Sequence, residues 1–479
     1  MKTKYLYINS IGCQMNVYDA DQIVKRLKSL KYIITDIPER ADLIIVHTCA
    51  IREKAEQKTF SFLGRLSGMK KKNPNLIIGV GGCVAQQEGK SILERVPHVD
   101  LVFGTHAIPR IPDLIKQIEQ KRFRVVDIEM SDTTESVDSL ILPIENQKAS
   151  VFITIMQGCE NYCTYCVVPY VRGRETSRNP KDIIKEIKAH VKSGIREVTL
   201  LGQNVNSYGT KEGGISFPEL LRRVNDIEDL LRIRFTTSHP KDLSDELALC
   251  FKELPKLCNH IHLPVQSGSS KILKKMNRKY TREAYLGKIE KLRKFCPDIA
   301  ITSDFIVGFP GETEADFNET LDLIKKVEFD GVFAFKYSDR PNVPASGFSG
   351  KLSEYEKSER LQNLLTVQEQ FTVQKNKALS GSIQPVLIEG LSKKQKNIDR
   401  ANVSANLQWA GRTTTNKIVN FYMELPDFDD KNFTYQNYMG KIINVKIEKA
   451  CSHSLYGIKV NFAPVSQQHV FKGGKSYAA

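Results

Sequence analysis

The chain has 479 residues, of which 41% are hydrophobic and 26% charged, and its formal net charge is +15. This length exceeds one ordinary hydrophobic core and predicts about two to four domains of a soluble globular protein. The longest apolar runs, at 43–46 and 76–80, are too short to span a bilayer, so no membrane segment is expected.

The start of the chain is typical of a first β-strand rather than of a signal peptide, because polar residues interrupt it early. We therefore expect a cytoplasmic protein. In that reducing compartment, clustered cysteines favour metal or redox chemistry over structural disulfides.

Residues 1–125 alternate strand-like and helical patterns. Apolar runs at 4–11, 41–48 and 75–82 indicate strands, and the stretch 19–30 between the first two indicates a helix. Strands separated by helices predict an α/β domain with a doubly wound parallel sheet. Ligands of such sheets bind at the carboxyl ends of the strands.

The same alternation runs longer from about residue 150 to 340. A helix is predicted over 179–194, with an asparagine cap, a proline in the first turn and a terminal glycine. Six βα-type units predict a central partial (β/α)6 barrel, again with its site at the carboxyl ends of the strands. The six strand-like segments are 151–156, 196–202, 232–238, 260–266, 299–308 and 331–338.

The last part of the chain differs in pattern and in charge. A polar helix is predicted over 353–378, followed by short β-rich pieces that predict a small all-β barrel, with a polar loop at 392–408. Residues 375–479 hold 15 Lys and Arg against 7 Asp and Glu. That surplus fits either a plain basic surface or a binding surface for a phosphate backbone, and its local asymmetry favours the second.

Three cysteines, Cys159, Cys163 and Cys166, stand within eight positions directly after the first barrel strand. A structural zinc site would lack its fourth ligand here, because zinc knuckles usually pair two C-x-x-C units or add histidines. Three thiolates can instead hold three irons of a 4Fe-4S cluster and leave the fourth iron open to another ligand. The C-x3-C-x2-C spacing, with Tyr165 just before the last cysteine, resembles the radical S-adenosylmethionine (radical SAM) superfamily.

Three further cysteines each follow one of the predicted N-terminal strands. Cys13, Cys49 and Cys83 are separated by about one βα unit, and two of them follow glycines that permit close backbone approach. This placement predicts a second three-thiolate cluster at one edge of the sheet. Four other cysteines show no such pattern: Cys250, Cys258, Cys296 and Cys451.

The three segments together resemble the methylthiotransferase family of radical SAM enzymes over nearly the whole chain. The segments 12–21, 47–58, 81–87 and 163–178 look most like the branch that acts on tRNA. The resemblance implies a methylthio transfer to carbon 2 of N6-dimethylallyl(isopentenyl)adenosine at position 37 of tRNA. It also implies three domains: an N-terminal domain (1–125) with the auxiliary cluster, a radical SAM core (145–378) and a TRAM-like RNA-binding domain (379–462).

The implied cofactors are two 4Fe-4S clusters and S-adenosylmethionine, and no side chain is assigned a catalytic role. His239 is one candidate base, although the reaction needs none until late. Where many radical SAM enzymes have Gly-Gly-Glu, this chain has Gly202-Gln203-Asn204, so the ligand of the SAM amino group is open. Candidate SAM contacts are Tyr165, Arg178, Gln203, Asn204, Ser238, Gln266, Ser267 and the segment Gly308 to Glu312.

Arg172, Arg174 and Arg178 fit either a solvated face or a contact with RNA phosphates or the SAM carboxylate, and their place beside the radical site favours the second. The expected partners are the tRNA anticodon stem-loop and a low-potential electron donor such as flavodoxin or ferredoxin. The protein itself is expected to be a monomer. Two alternatives stay open. One is the same chemistry on another modified adenosine or a ribosomal-protein side chain, and the other is a two-cluster electron carrier with an RNA-binding tail.

Overall fold

The computed structural model describes residues 3–50, 53–130, 148–211, 213–395, 406–424 and 435–461. They form two compact units, one made of 1–146 with 150–368 and the other of 147–149 with 369–479. None of the helices among these residues is both long and apolar enough to cross a membrane.

The N-terminal part is a six-stranded, all-parallel sheet in the order β2-β1-β3-β4-β5-β6. Both faces are covered, because Leu43 and Ile45 of the central strand enter one apolar cluster while Ile44 and Val46 enter another. The strands are β1 Lys4–Ser10, β2 Tyr32–Ile34, β3 Leu43–Thr48, β4 Ile77–Gly82, β5 Leu101–Phe103 and β6 Val125–Asp127.

The predicted doubly wound sheet is thus confirmed, but with six strands instead of the three that the sequence indicated. The missed strands, β2, β5 and β6, have three residues each, too few to show a period of two. The helices of this part are α1 Gln14–Leu27, α2 Glu53–Lys72, α3 Cys83–Glu88, α4 Ser91–Arg95 and α5 Ile111–Lys121.

The central part contains all six predicted strands as an incomplete parallel barrel. Two three-stranded sheets, β11-β10-β7 and β12-β13-β14, meet at a bridge between Ile233 and Leu257. The strands are β7 Ser150–Thr154, β10 Glu197–Leu201, β11 Arg232–Phe235, β12 His260–His262, β13 Ala300–Val307 and β14 Gly331–Lys336, and a short hairpin joins β8 Met156–Gln157 to β9 Thr176–Ser177.

Helices connect these strands and cover the outside of the arc. The predicted helix near residue 180 begins under the Asn179 cap, whose side chain accepts a hydrogen bond from the Lys181 amide. The predicted polar helix near residue 353 is also present. The helices are α6 Val168–Arg172, α7 Pro180–Lys192, α8 Phe217–Asn225, α9 Asp245–Glu253, α10 Ser270–Lys275, α11 Arg282–Phe295, α12 Glu314–Val327 and α13 Glu354–Lys377.

The second unit is a closed five-stranded barrel in the order β15-β16-β17-β19-β18, built around the fully buried Trp409 and Phe421. The predicted loop at 392–408 is wrong at its end, because residues 406–408 begin β16; residues 396–405 lie outside the described part of the chain. The strands are β15 Ile383–Leu391, β16 Asn406–Arg412, β17 Ile418–Glu424, β18 Ile442–Ala450 and β19 Leu455–Lys459.

Candidate functional site

The three N-terminal cysteines lie at the carboxyl ends of β1, β3 and β4, which are neighbours in the sheet. Cys13 caps α1, Cys49 follows β3 directly, and Cys83 is the first residue of α3. The side chains of Cys13 and Cys49 share a hydrogen bond, which is the main reason that the pKa of Cys13 falls to about 6. Burial raises the pKa of Cys83, which also feels the charge of Cys13. Parallel pairing therefore gathers three thiols at one edge.

Two glycines permit this close approach. Gly12 has φ +134°, and a Cβ there would lie 2.2 Å from Cβ of Cys49. Gly82 has φ +93°, and a Cβ there would lie 2.4 Å from the carbonyl oxygen of Thr48. Any larger residue at either position would push neighbouring cysteine loops apart.

Asn16 joins the ends of two of these strands. Its Nδ2 atom donates to the carbonyl oxygens of Ile11 and Thr48, both at 2.9 Å. Its Oδ1 atom lies 3.7 Å from Sγ of Cys13. Asn16 could not be predicted from the sequence, because its contact with Thr48 joins residues 32 positions apart.

Arg172 enters the same site from the loop that carries the other three cysteines. Its Nη2 atom lies 2.8 Å from Oδ2 of Asp19 and 3.5 Å from Oδ1 of Asn16, and the side chain is buried. Burial alone would lower the pKa of Arg172, but Asp19 and the thiols of Cys83 and Cys13 raise it well above its usual value. Arg172 is therefore not on the surface where RNA phosphates would bind, and its charge is paired with Asp19 inside the protein.

The loop with Cys159, Cys163 and Cys166 follows β8 and closes on itself. The amide of Cys159 donates to the carbonyl of Gly173 at 3.2 Å, and the amide of Cys166 donates to that of Cys163 at 2.9 Å. Burial, together with the neighbouring thiols of Cys163 and Cys159, raises the pKa of Cys166 to about 12. The structure thus brings these three thiols into electrostatic contact on one loop.

A second buried arginine stands beside this loop. The Nη1 atom of Arg278 lies 3.4 Å from Sγ of Cys163 and 3.4 Å from the hydroxyl oxygen of Tyr165. Its Nη2 atom donates to the carbonyl of Pro264 at 2.6 Å. Burial opposes its charge, yet Tyr165, Tyr280 and Cys163 raise the pKa of Arg278 well above its usual value. Arg278 was not among the residues predicted from the sequence, because it lies 115 residues away from Cys163 in the chain.

The predicted contacts after β10 mostly hold the loops in place. Oε1 of Gln203 accepts a hydrogen bond from the amide of Gly158 at 2.6 Å. Asn204 is buried, and its Nδ2 atom donates to Oδ2 of Asp242 at 2.7 Å. Both side chains therefore position the backbone around the thiol loop.

Ser238 and His239 follow β11 at the same rim. Nε2 of His239 lies 4.0 Å from Sγ of Cys163, and Nδ1 accepts from the amide of Lys241 at 3.2 Å. Burial, aided by Arg278 and Lys241, lowers the pKa of His239 far below its usual value and keeps the ring neutral. Within the described residues, the buried hydroxyl of Ser238 has no hydrogen-bond partner. A bound ligand or an ordered water could satisfy such a buried hydroxyl.

The remaining predicted contacts fall into two groups. Gln266 adopts a left-handed φ of +76°. The carbonyl of the preceding Val265 accepts a hydrogen bond from the Tyr280 hydroxyl, which in turn accepts one from Arg278. Ser267 is fully buried, where its hydroxyl accepts from the Ser269 amide.

The segment Gly308 to Glu312 reaches the thiol loop through Phe309, which shares an apolar cluster with Tyr165. The carboxylate of Glu312 itself is engaged by the Gly308 amide and by Arg360, each at 2.7 Å.

Arg178 is buried, and its guanidinium is engaged by protein groups. Its Nη1 atom lies 2.8 Å from Oε2 of the buried Glu186 and 2.6 Å from the carbonyl of Thr154. Of the three arginines expected near the radical site, only Arg174 is exposed.

The donor set fits a polynuclear group better than a single ion. A tetrahedral zinc site needs thiolates about 2.3 Å from one point. Across the described ranges, no group of three or more His, Cys, Asp or Glu side chains is arranged to hold a metal ion. Each triad offers three thiols that form no disulfide. That arrangement suits an iron–sulfur cluster with one open iron.

The two triads belong to one compact unit. Cys166 is followed by α6, whose five residues span about 7 Å. That helix ends at Arg172, beside Cys13 and Cys83. The hydroxyl of Thr105 donates to the carbonyl of Val171 at 2.9 Å, which fixes the end of α6 to the N-terminal domain. The two cysteine sites are therefore joined by one short helix.

Two family matches cover the parts that carry these cysteines. The radical SAM superfamily matches residues 153–324, and the Uncharacterized protein family UPF0004 matches residues 5–104. Among solved structures, the radical S-adenosylmethionine methyltransferase TsrM from Kitasatospora setae, with cobalamin and a 4Fe-4S cluster bound, has a TM-score of 0.55. It is 14% identical and covers 80% of this chain and 81% of its own, a likeness of fold.

Curated relatives cover almost the whole chain and are called tRNA-2-methylthio-N(6)-dimethylallyladenosine synthase. One from Desulfosudis oleivorans is 53% identical over 461 residues, which is 95% of this chain and 97% of the relative. One from Syntrophus aciditrophicus is 51% identical, over 95% of this chain and 94% of the relative. One from Clostridium tetani is 48% identical, over 95% and 96%.

Proposed function

The chain belongs to the family of tRNA-2-methylthio-N(6)-dimethylallyladenosine synthases, and on that premise we propose which of its residues serve the reaction. It is a radical SAM methylthiotransferase that adds a methylthio group to carbon 2 of N6-dimethylallyladenosine in tRNA, at position 37 in this proposal. The observation that carries the residue assignment is the pair of three-cysteine sites joined through α6 and Arg172.

The cofactors are 4Fe-4S clusters and S-adenosylmethionine. We assign the auxiliary cluster to Cys13, Cys49 and Cys83, within residues 1–125. We assign the radical SAM cluster to the triad Cys159, Cys163 and Cys166, within residues 145–378. When bound, these groups supply the sulfur, the methyl group and the carbon-centred radical that side chains cannot supply to an unactivated C–H bond.

The protein's own part is to hold, orient and balance charge. Arg172 and Arg278 place one buried cation beside each thiol triad, which offsets the negative charge of thiolates in a low-dielectric interior. His239 stays neutral beside Cys163 and acts as a packing group rather than as a base.

SAM is assigned to the rim of the barrel next to the radical SAM triad. The unpaired Ser238 hydroxyl, the left-handed Gln266, Tyr165 and the Gly308 turn supply its contacts. Gln203, Asn204 and Glu312 act through the backbone that they hold. Arg178 is left out of this pocket, because its charge is paired with Glu186.

The C-terminal barrel, residues 379–462, is assigned to the tRNA anticodon stem-loop as a TRAM-like domain. Its basic surplus and its small closed β-barrel support this assignment. The protein is further proposed to act as a cytoplasmic monomer that receives electrons from flavodoxin or ferredoxin.

The test is anaerobic reconstitution with iron and sulfide, followed by SAM, a reductant and tRNA that carries N6-dimethylallyladenosine. Mass spectrometry of the nucleosides should detect the 2-methylthio product. Product on a ribosomal-protein substrate or on another modified adenosine, with none on this tRNA, would replace the proposed substrate. Reduction of both clusters without any SAM cleavage would instead support the electron carrier.

A further inference from the structure

The loop that carries the radical SAM triad turns two tyrosines outward. The rings of Tyr162 and Tyr170 are 47% and 40% exposed, although the cysteine next to Tyr162 is buried. Their centroids lie 6.4 Å apart in an edge-to-face arrangement. The two rings thus form one aromatic surface, which we define as the Tyr162–Tyr170 pair.

The backbone holds this pair outward at a conformational cost. Tyr162 has φ +48°, a left-handed conformation that bulky residues rarely adopt. Its carbonyl accepts a hydrogen bond from Nδ2 of Asn277 at 2.9 Å, and the same Nδ2 atom reaches the carbonyl of Asn161 at 3.3 Å. Strained conformations that the surroundings enforce concentrate at functional sites.

The charge beside the pair is suited to an anionic partner. Arg174, on the same loop, is exposed, and Lys279 is exposed two residues after Asn277. Of the two acidic residues of this loop, Glu160 is paired with Lys211 and Glu175 is buried. Exposed aromatic rings flanked by arginine and lysine match the way in which proteins bind unpaired nucleotides, through base stacking and phosphate contacts.

We propose that the Tyr162–Tyr170 pair is a stacking platform for a nucleobase of the tRNA anticodon loop, next to the adenosine that is modified. The inference rests on the proposed function and adds a contact surface to it. The modified adenosine must leave its stack to reach the radical site, which leaves a neighbouring base without its stacking partner. A tyrosine beside Cys163 replaces that partner.

Binding of an anticodon stem-loop at constant salt tests the platform. The variants Tyr162→Leu and Tyr170→Leu should raise Kd roughly tenfold or more. Tyr162→Phe and Tyr170→Phe keep the ring, so their Kd should stay near that of the wild-type protein. Tyr5→Leu is the matched control, because Tyr5 is 42% exposed on the N-terminal sheet. Iron content and thermal melting of each variant report whether the loop still folds.

A second measurement uses the wild-type protein. A stem-loop with 4-thiouridine next to the target adenosine should crosslink to peptides that contain Tyr162 or Tyr170. Crosslinks confined to other regions, or an unchanged Kd in both leucine variants with intact clusters, would overturn the platform. Failure of the unmodified protein to make the methylthio product would instead overturn the proposed function.

Discussion

The Nη2 atom of Arg172 lies 2.8 Å from Oδ2 of Asp19, and both side chains are buried. The arginine ends the helix that follows the radical SAM triad, and the aspartate lies on α1, the helix that Cys13 caps. One ion pair therefore links the two cysteine sites.

We expect Arg172→Ala to impair the auxiliary site first. Removal of one partner of a buried pair leaves an uncompensated charge and costs about 3–5 kcal/mol. The iron content should fall from about eight per chain toward about four, with a lower thermal midpoint. Arg174→Ala is the control, because that arginine is exposed. Equal iron content in both variants would contradict a role for Arg172 in the auxiliary site.

Gly12→Ala should disrupt the auxiliary site both by backbone strain and by steric overlap with Cys49. The new Cβ would lie 2.2 Å from Cβ of Cys49, and φ is +134°. We expect loss of the auxiliary cluster signal in electron paramagnetic resonance after reconstitution. The matched change is Gly64→Ala in α2, where a Cβ has no atom within 4 Å in the described structure. That variant should keep both clusters and gain up to about 1 kcal/mol of helix stability.

Arg278→Met should make the radical SAM cluster harder to reduce. A cation about 5 Å from the cluster contributes roughly 3 kcal/mol at an effective dielectric constant of 20, on the order of 100 mV. A redox titration followed by electron paramagnetic resonance measures this shift, which should be toward more negative potential. Arg278→Lys should keep most of the potential. A midpoint that stays in place in Arg278→Met would show that the charge is screened.

An activity measurement should distinguish the roles of the two cysteine triads. Cys83→Ala is expected to form 5′-deoxyadenosine still, while the methylthio product is lost, because the radical SAM triad is untouched. Cys163→Ala should lose both products. Chromatography of the reaction mixtures measures each one. Full methylthio transfer by Cys83→Ala would rule out the auxiliary triad as the source of the sulfur.

The strands that carry cysteines could be predicted because their apolar runs are long and continuous. Runs of six buried residues in β3 and β4 make the ends of those strands evident in the sequence. The positions of Cys49 and Cys83 follow from them. The strands β2 and β5 could not be predicted in this way, because three residues carry almost no periodic signal.

The burial of the arginines could not be predicted from the sequence, for a different reason. Their partners are distant along the chain: 153 residues separate Arg172 from Asp19, and 115 separate Arg278 from Cys163. An arginine in a charged loop most often faces solvent, and only the tertiary contact shows that it does not. Arg178 is also buried, although its partner Glu186 in α7 is only eight positions further along the chain.

The short helix α6 has a consequence for how the protein can be divided. A fragment that ends before residue 150 contains Cys13, Cys49 and Cys83 but neither Arg172 nor the Val171 carbonyl that Thr105 binds. In that fragment Asp19 and the three thiols would have no counter-charge from the second domain. The auxiliary site is thus not a transferable module. We expect it to reach its final form only when the segment with Val171 and Arg172 is present, so that the second cysteine segment completes the first.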